Sequence, residues 1–201
     1  MIELQGVFTK IYAEGGKRWK GIESKSGRGS DLATTKRVLE MLPVLLEGLH
    51  ITSMLDAGCG DWNWMSRIQF PKRMQYLGVD IVPGLIVENC QKYPDQHFRC
   101  MDLAGDQLDA CEFILCRSVL FHLSFANVKR VLDNFKSTGA RWLLTTTYPF
   151  YHEVGKDIPD GSFHRLNLEA TPFTWPMPHL LIPEGNELDG WLGLWNLKDL
   201  P

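Results

Sequence analysis

Three acids and two glycines carry the chemistry legible in this 201-residue chain. Met54-Leu55-Asp56-Ala57-Gly58-Cys59-Gly60-Asp61 runs an apolar segment into an acid and then into two glycines one residue apart. The run predicts a strand ending in a tight turn, where backbone approaches a ligand closely because glycine has no side chain in the way. A dinucleotide turn needs G-x-G-x-x-G, with the pyrophosphate on a helix N-terminus. Counting from Gly58, the sixth position is Asn63, so that fingerprint fails, and Asp61 stands where it would repel phosphate. The pattern suits a nucleoside ligand without phosphate and with positive charge, which nearby acids favour.

Two acids downstream extend the pattern. Gln75-Tyr76-Leu77-Gly78-Val79-Asp80 reads as a second strand ending in an acid, 24 residues after Asp56. An acid roughly 20 residues past the turn accepts hydrogen bonds from ribose hydroxyls. His97-Phe98-Arg99-Cys100-Met101-Asp102-Leu103 reads as a third strand whose Asp102 is placed to accept from an adenine amino group. Glu112 to Arg117 reads as a fourth strand, followed by Ser118-Val119-Leu120-Phe121-His122-Leu123. S-adenosylmethionine has the matching chemistry: an adenosine bearing a sulfonium, an ammonium and a carboxylate.

In this order the segments resemble those of the class I S-adenosylmethionine-dependent methyltransferases. Leu55 to Gly60 is similar to the family's first motif, although its third loop glycine falls at Trp62. Asp80 matches the ribose-binding acid, Asp102-Leu103 the adenine-contacting position, and Cys116 to Leu123 the segment that passes the methyl donor. The resemblance covers residues 50 to 147, about half the chain. It implies a donor site built from Asp56, Gly58, Cys59, Gly60, Asp61, Asp80, Ile81, Asp102 and Leu103. Arg117 is expected to meet the donor's carboxylate end or to fix a lid. The fold implied is α/β: a Rossmann-like sheet of mostly parallel strands, helices on both faces and an antiparallel C-terminal edge pair, in a single domain spanning 1–201.

The elements that must position these residues follow from periodicity. Strands are predicted near 52–56, 75–80, 96–101, 111–116 and 141–147, and helices near 62–69, 84–92 and 124–136. Val128, Val131, Leu132 and Phe135 form the apolar stripe of the last of these helices. Alternation of this kind predicts a parallel sheet with ligands at the strands' carboxyl ends. Before the core, residues 1–48 read as an N-terminal cap and helix: a glycine-rich, basic stretch without clean periodicity, a loop at Ser24 to Ser30, and a helix starting near Asp31 or Thr34. The donor-binding core is 49–147. Residues 148–201 supply an acceptor-side loop over Tyr148 to Leu168 and edge strands from His179-Leu180-Leu181-Ile182 and Leu192-Gly193-Leu194-Trp195.

Composition sets limits on partners. The hydrophobic fraction of 44% and a net charge of −3 suit an ordinary globular domain, without a global bias toward nucleic acid or membrane. No apolar run approaches the ~20 residues of a membrane span, and the chain's start lacks signal-peptide layout, so a cytoplasmic protein, monomer or homodimer, is expected. The five cysteines show no zinc spacing; Cys100, Cys111 and Cys116 are expected in strands as small apolar residues, and no metal site is expected.

For the acceptor, the candidates are His122, Tyr148, His152, Glu153, His164 and Arg165, with His122, His152 and His164 the candidates for catalytic proton transfer. The bland alternatives are a packed histidine at a helix start, a solvated loop and an exposed strand end. Trp19 and its basic neighbours read as a lid or as an aromatic anchor. Base-modifying methyltransferases commonly carry Asn/Asp-Pro-Pro-aromatic after the fourth strand, where this chain has Cys116-Arg117-Ser118-Val119. A small polar or sugar-like acceptor, or a short protein segment, remains. The rivals are a donor-binding protein without catalysis and a nicotinamide-dependent oxidoreductase, the latter opposed by the missing third glycine.

Overall fold

The structure, a computed structural model, describes residues 2–14, 21–151, 156–184 and 190–201. Seven strands form one sheet: β1 (Ser53–Ala57), β2 (Gln75–Asp80), β3 (Phe98–Cys100), β4 (Phe113–Cys116), β5 (Trp142–Thr147), β6 (Leu180–Pro183) and β7 (Trp191–Asn196), in the order β3-β2-β1-β4-β5-β7-β6. β1 to β5 are parallel, while β7 runs antiparallel to both β5 and β6. The predicted antiparallel pair therefore forms, with only β6 at the edge. The strand order reverses between β1 and β4, and a crevice opens at that point outside the carboxyl ends of the strands.

Side-chain alternation splits the core in two. Leu55, Ile114 and Leu143 face one side, against Val128, Val131, Leu132 and Phe135 of α4 (Phe125–Ser137). Met54, Phe113, Leu115 and Leu144 face the other, against Val38, Leu42 and Leu46 of α2 (Leu32–Gly48) and Ile86 of α3 (Pro83–Lys92). A sheet buried on both faces needs apolar residues in both registers, and these strands supply them.

Three local expectations fail for physical reasons. Instead of a helix over 62–69, the chain makes turns and one short 3-10 turn, Met65–Arg67. Trp62, at the position of the family's third glycine, takes a left-handed φ of 55° that no helix interior accommodates. Its ring is fixed there: Nε1 donates to Tyr76 Oη at 2.6 Å, and Tyr93 and Phe98 meet it edge-on. At the N-terminus, α1 (Ile2–Ala13) forms in the stretch expected to lack clean periodicity. Its apolar positions Leu4, Phe8 and Ile11 do follow helical spacing, but Leu4 and Phe8 line the cavity and Ile11 is buried against Gly161, instead of forming a broad core face. Among the cysteines, Cys116 is buried in β4, whereas Cys100 is exposed in edge strand β3 and Cys111 precedes β4.

β7 enters the sheet only because Gly193 leaves room for Trp195. A Cβ at Gly193 would lie 2.2 Å from the Trp195 ring, which is buried and donates from Nε1 to Pro176 O at 2.7 Å. Gly193→Ala should therefore lower stability by about 1–3 kcal/mol, the scale of an overpacked core. Urea unfolding monitored by tryptophan fluorescence checks this.

Candidate active site

A cavity of about 870 Å³ occupies the crevice at the carboxyl ends of β1, β2, β4 and β5. Its floor contains the glycine turn. Gly58 and Gly60 both adopt positive φ, 87° and 56°. A Cβ on Gly58 would lie 2.3 Å from Val119, and one on Gly60 would lie 2.2 Å from Ser26 Oγ. The turn is thus closed to side chains from both sides. Gly58 and Cys59 both donate to Val79 O, at 2.8 and 2.9 Å.

Asp80 fastens this turn. Its Oδ2 accepts from Gly60 N and its Oδ1 from Val82 N, both at 3.0 Å. Burial pushes its carboxyl up to about 6 despite these bonds. Asp56, buried below the turn, accepts from Tyr76 Oη at 2.7 Å and is pushed up to about 7, chiefly by burial and also by the Asp80 charge. Asp102 accepts from Ala104 N at 2.9 Å, and Ile81, Asp102 and Leu103 line the same cavity. Of the expected donor residues, Asp56, Gly58, Cys59, Gly60, Asp80, Ile81, Asp102, Leu103 and Arg117 all line it.

Asp61 is placed differently. Its carboxylate accepts from Ser24 Oγ, Lys25 N and Ser26 Oγ, so it holds the N-terminal loop and lies outside the cavity lining. The loop is held from its other end by Asp31, which accepts from Ile22, Glu23 and Ser24 N instead of capping α2. Ser26 Oγ accepts in turn from Asp61 N and from Tyr12 Oη. The roof that results is Leu4, Phe8 and Tyr12 of α1 together with residues 26–30.

The long loop after β5 closes the remaining side. Asp160 accepts from Ser124 N and Asn127 Nδ2, and Asp157 accepts from Phe125 N, so two carboxylates hold the loop to the start of α4. Gly161 donates to His122 O, and His164 N donates to Phe121 O. Gly161, Ser162 and Phe163 then face the cavity, and Gly161 meets Val7 and Ile11 of α1 with no room for a Cβ.

On this wall stands His122. Its Nδ1 lies 2.6 Å from Ser162 O. A carbonyl oxygen only accepts, so Nδ1 carries the proton, and in the neutral ring Nε2 is the acceptor. Tyr148 lines the same wall, its hydroxyl held well above its usual range by burial and by Glu184. His164 lies elsewhere: it stacks on Phe125 beside a minor groove, its ring nitrogens sealed from solvent, and burial holds its imidazole below the ordinary range. Arg165 is exposed, with its guanidinium over the Tyr151 ring. His152, Glu153 and Trp19 lie outside the described residues.

Sequence reasoning missed Trp64 and Glu184, both buried and both on the cavity wall. Glu184 follows β6 and reaches the site only because β6 and β7 fold back along β5. Nothing in its sequence neighbourhood signals that. Arg117 contacts it, Nε to Oε1 at 2.6 Å, with both side chains almost fully buried. The contact is an ion pair that falls short of hydrogen-bond alignment. Arg117 Nη2 also donates to Gly29 O at 2.7 Å, which ties the end of β4 to the roof loop.

The strand order and the turn at β1 together decide the comparison. This is the fold of the class I S-adenosylmethionine-dependent methyltransferases. Human N-acetylserotonin methyltransferase in complex with its donor superposes with a TM-score of 0.64 at 15% identity, over 94% of this chain and 58% of that one. Magnesium protoporphyrin IX methyltransferase from Synechocystis PCC 6803, with bound donor, gives 0.57 at 16% identity over 82% and 81%. The methyltransferase domain of a bacterial Hen1 gives 0.51 at 16% identity over 57% of this chain and 66% of its own, just under two thirds. No family model matches the sequence, and no curated protein matches it. Among the described residues no helix is long and apolar enough to cross a membrane.

The buried acids give the site a pH signature. The unfolded carboxylate value is near 3.9, and both folded values lie above it. The folded protein then holds protons that the unfolded chain has released. The stability these groups contribute is complete below about pH 4 and is lost as pH rises through about 6 and about 7. Urea unfolding of the ligand-free protein should show stability falling across that window. Asp56→Asn, which cannot ionise, should flatten the upper part of the fall.

Proposed function

We propose that this chain is an S-adenosylmethionine-dependent methyltransferase that moves a methyl group to an oxygen or nitrogen of a small polar or sugar-like acceptor. The observation that carries the reading is the continuity of one cavity. It joins the glycine turn, Asp80 and Asp102 to a wall bearing His122 and Tyr148, in a fold whose solved examples include structures with S-adenosylmethionine bound. The residues fit that donor. The turn admits close backbone approach, the acids around it suit a cationic ligand, and Asp80 keeps acceptor capacity beyond its backbone donors for ribose hydroxyls.

The donor supplies an activated methyl carbon. The protein's part is to align acceptor and donor and to exclude water. Gly58 and Gly60 hold the amino-acid end, Asp80 the ribose, and Asp102 with Leu103 the adenine. The roof of α1 and residues 26–30 shuts solvent out. His122, with its proton on Nδ1, is positioned to take a proton from the acceptor at Nε2. His164, whose ring nitrogens are sealed from solvent outside this cavity, is set aside as a catalytic group. A donor-binding sensor without catalysis is the second reading, and the continuity of donor and acceptor walls speaks against it. We place the protein in the cytoplasm, without nucleic-acid or membrane partners, as monomer or homodimer.

Calorimetric titration tests the donor assignment. Wild type should bind S-adenosylhomocysteine, and Asp80→Ala should weaken that binding by about 1–3 kcal/mol. A folded wild type that binds neither donor nor product removes the proposal. Release of S-adenosylhomocysteine in the presence of an acceptor separates enzyme from sensor.

A further inference from the structure

We infer that Arg117 and Glu184 form the acceptor-recognition pair, and that the acceptor presents to them a neutral hydroxyl-bearing group, most simply the adjacent hydroxyls of a sugar or polyol. The inference rests on the methyltransferase reading above and names the substrate class of that same site.

The pair stands where an acceptor belongs. Arg117 follows β4, Glu184 follows β6, and both line the cavity on the side of β5, away from Asp80 and Asp102. Both are nearly inaccessible, at 6% and 3% exposure. A buried ion pair is costly to desolvate and a weak source of stability, so its position on a ligand cavity calls for another explanation.

The unused hydrogen-bonding capacity is specific. Arg117 Nη2 serves Gly29 O, and Nε faces Glu184 without hydrogen-bond alignment. Nη1 meets no acceptor among the described residues and is not among the sealed atoms. It keeps solvent access on a residue that lines the cavity, and we take it as the donor available to a ligand there. Among the described residues the Glu184 carboxylate takes one hydrogen bond, from Thr146 Oγ1 to Oε2 at 3.3 Å, and it lies close enough to Tyr148 to raise its hydroxyl's pKa. It retains acceptor capacity beside that donor.

Charge decides what fits. An anionic acceptor at Nη1 would meet the Glu184 carboxylate, and a cationic one at Glu184 would meet the guanidinium. A hydroxyl does both jobs: it accepts from Arg117 and donates to Glu184, and a neighbouring hydroxyl can repeat the pattern. Trp64, under the guanidinium at 5.3 Å, and Tyr148 line the cavity around the pair and offer apolar surface for ring C–H groups. The donor's own carboxylate is disfavoured at Arg117 by the same Glu184 charge.

The test is saturation-transfer NMR on the full chain loaded with S-adenosylhomocysteine. One probe set is glucose, galactose, rhamnose and myo-inositol; the other is benzoate, succinate and tyramine. Wild type should transfer saturation to at least one polyol and not to the charged probes. In Glu184→Gln the polyol signal should fall at least fivefold while affinity for S-adenosylhomocysteine stays within twofold. Binding of the charged probes in preference, or no polyol binding by a wild type that holds S-adenosylhomocysteine, overturns the inference. A tenfold change in S-adenosylhomocysteine affinity in Glu184→Gln assigns the pair to the donor and overturns it equally. If that variant does not fold, the wild-type probe sets decide alone. A wild type that fails to bind S-adenosylhomocysteine overturns the donor reading itself, and with it this inference; the calorimetric titration identifies that case separately.

Discussion

Both oxygens of the Asp80 carboxylate accept backbone N–H groups, one from Gly60 and one from Val82. The end of β2 is thereby fastened to the turn that ends β1, and the geometry around the cavity builds on that fastening. Because Gly60 has no Cβ, Ser26 docks against it. Because Ser26 docks there, Asp61 can gather Ser24, Lys25 and Ser26, and Tyr12 can reach the loop from α1. The roof of the cavity is a consequence of one carboxylate and one missing side chain.

The site concentrates charge that burial disfavours. Burial raises the cost of ionising both Asp56 and Asp80; the Asp80 charge adds to it for Asp56 and the Asp61 charge for Asp80, and both have carboxyls well above the ordinary range. A cationic ligand relieves that strain, since opposite charge nearby favours the ionised form. Toward β5 an ion pair is used instead: Arg117 faces Glu184, and its charge also eases the ionisation of Asp56. The acids lie at one end of the cavity and the ion pair at the other, the charge pattern that the proposed cationic donor and uncharged acceptor require.

The loop between β5 and β6 shows how backbone donors at a helix start organise a site. Asp157 and Asp160 reach the N–H groups at the beginning of α4. Orphan donors there need partners, and carboxylates are favoured by the helix dipole. Once anchored, the chain passes His122 and brings Ser162 O onto its Nδ1. The tautomer of that histidine is thus set by a loop 40 residues away in sequence.

The strand pattern, the glycine turn and the acids at strand ends were legible because each is a local consequence of residue type: periodicity for strands, absence of Cβ for the turn, and spacing for Asp80 and Asp102. Trp62 was legible only as a departure; its left-handed backbone depends on Tyr76, Tyr93 and Phe98, which lie elsewhere in the sequence. Asp61 looked like a donor-site acid and instead holds the N-terminal loop, because which groups reach a carboxylate depends on where the chain returns. His122 and His164 both follow a phenylalanine, yet one lines the cavity and the other stacks on Phe125 outside it. By itself the sequence determined the sheet, its turn and the acids that edge it. The tertiary structure decided that α1 is a roof, that Glu184 stands beside Arg117, and which histidine faces the cavity, because each depends on contacts between segments that local residue pattern does not encode.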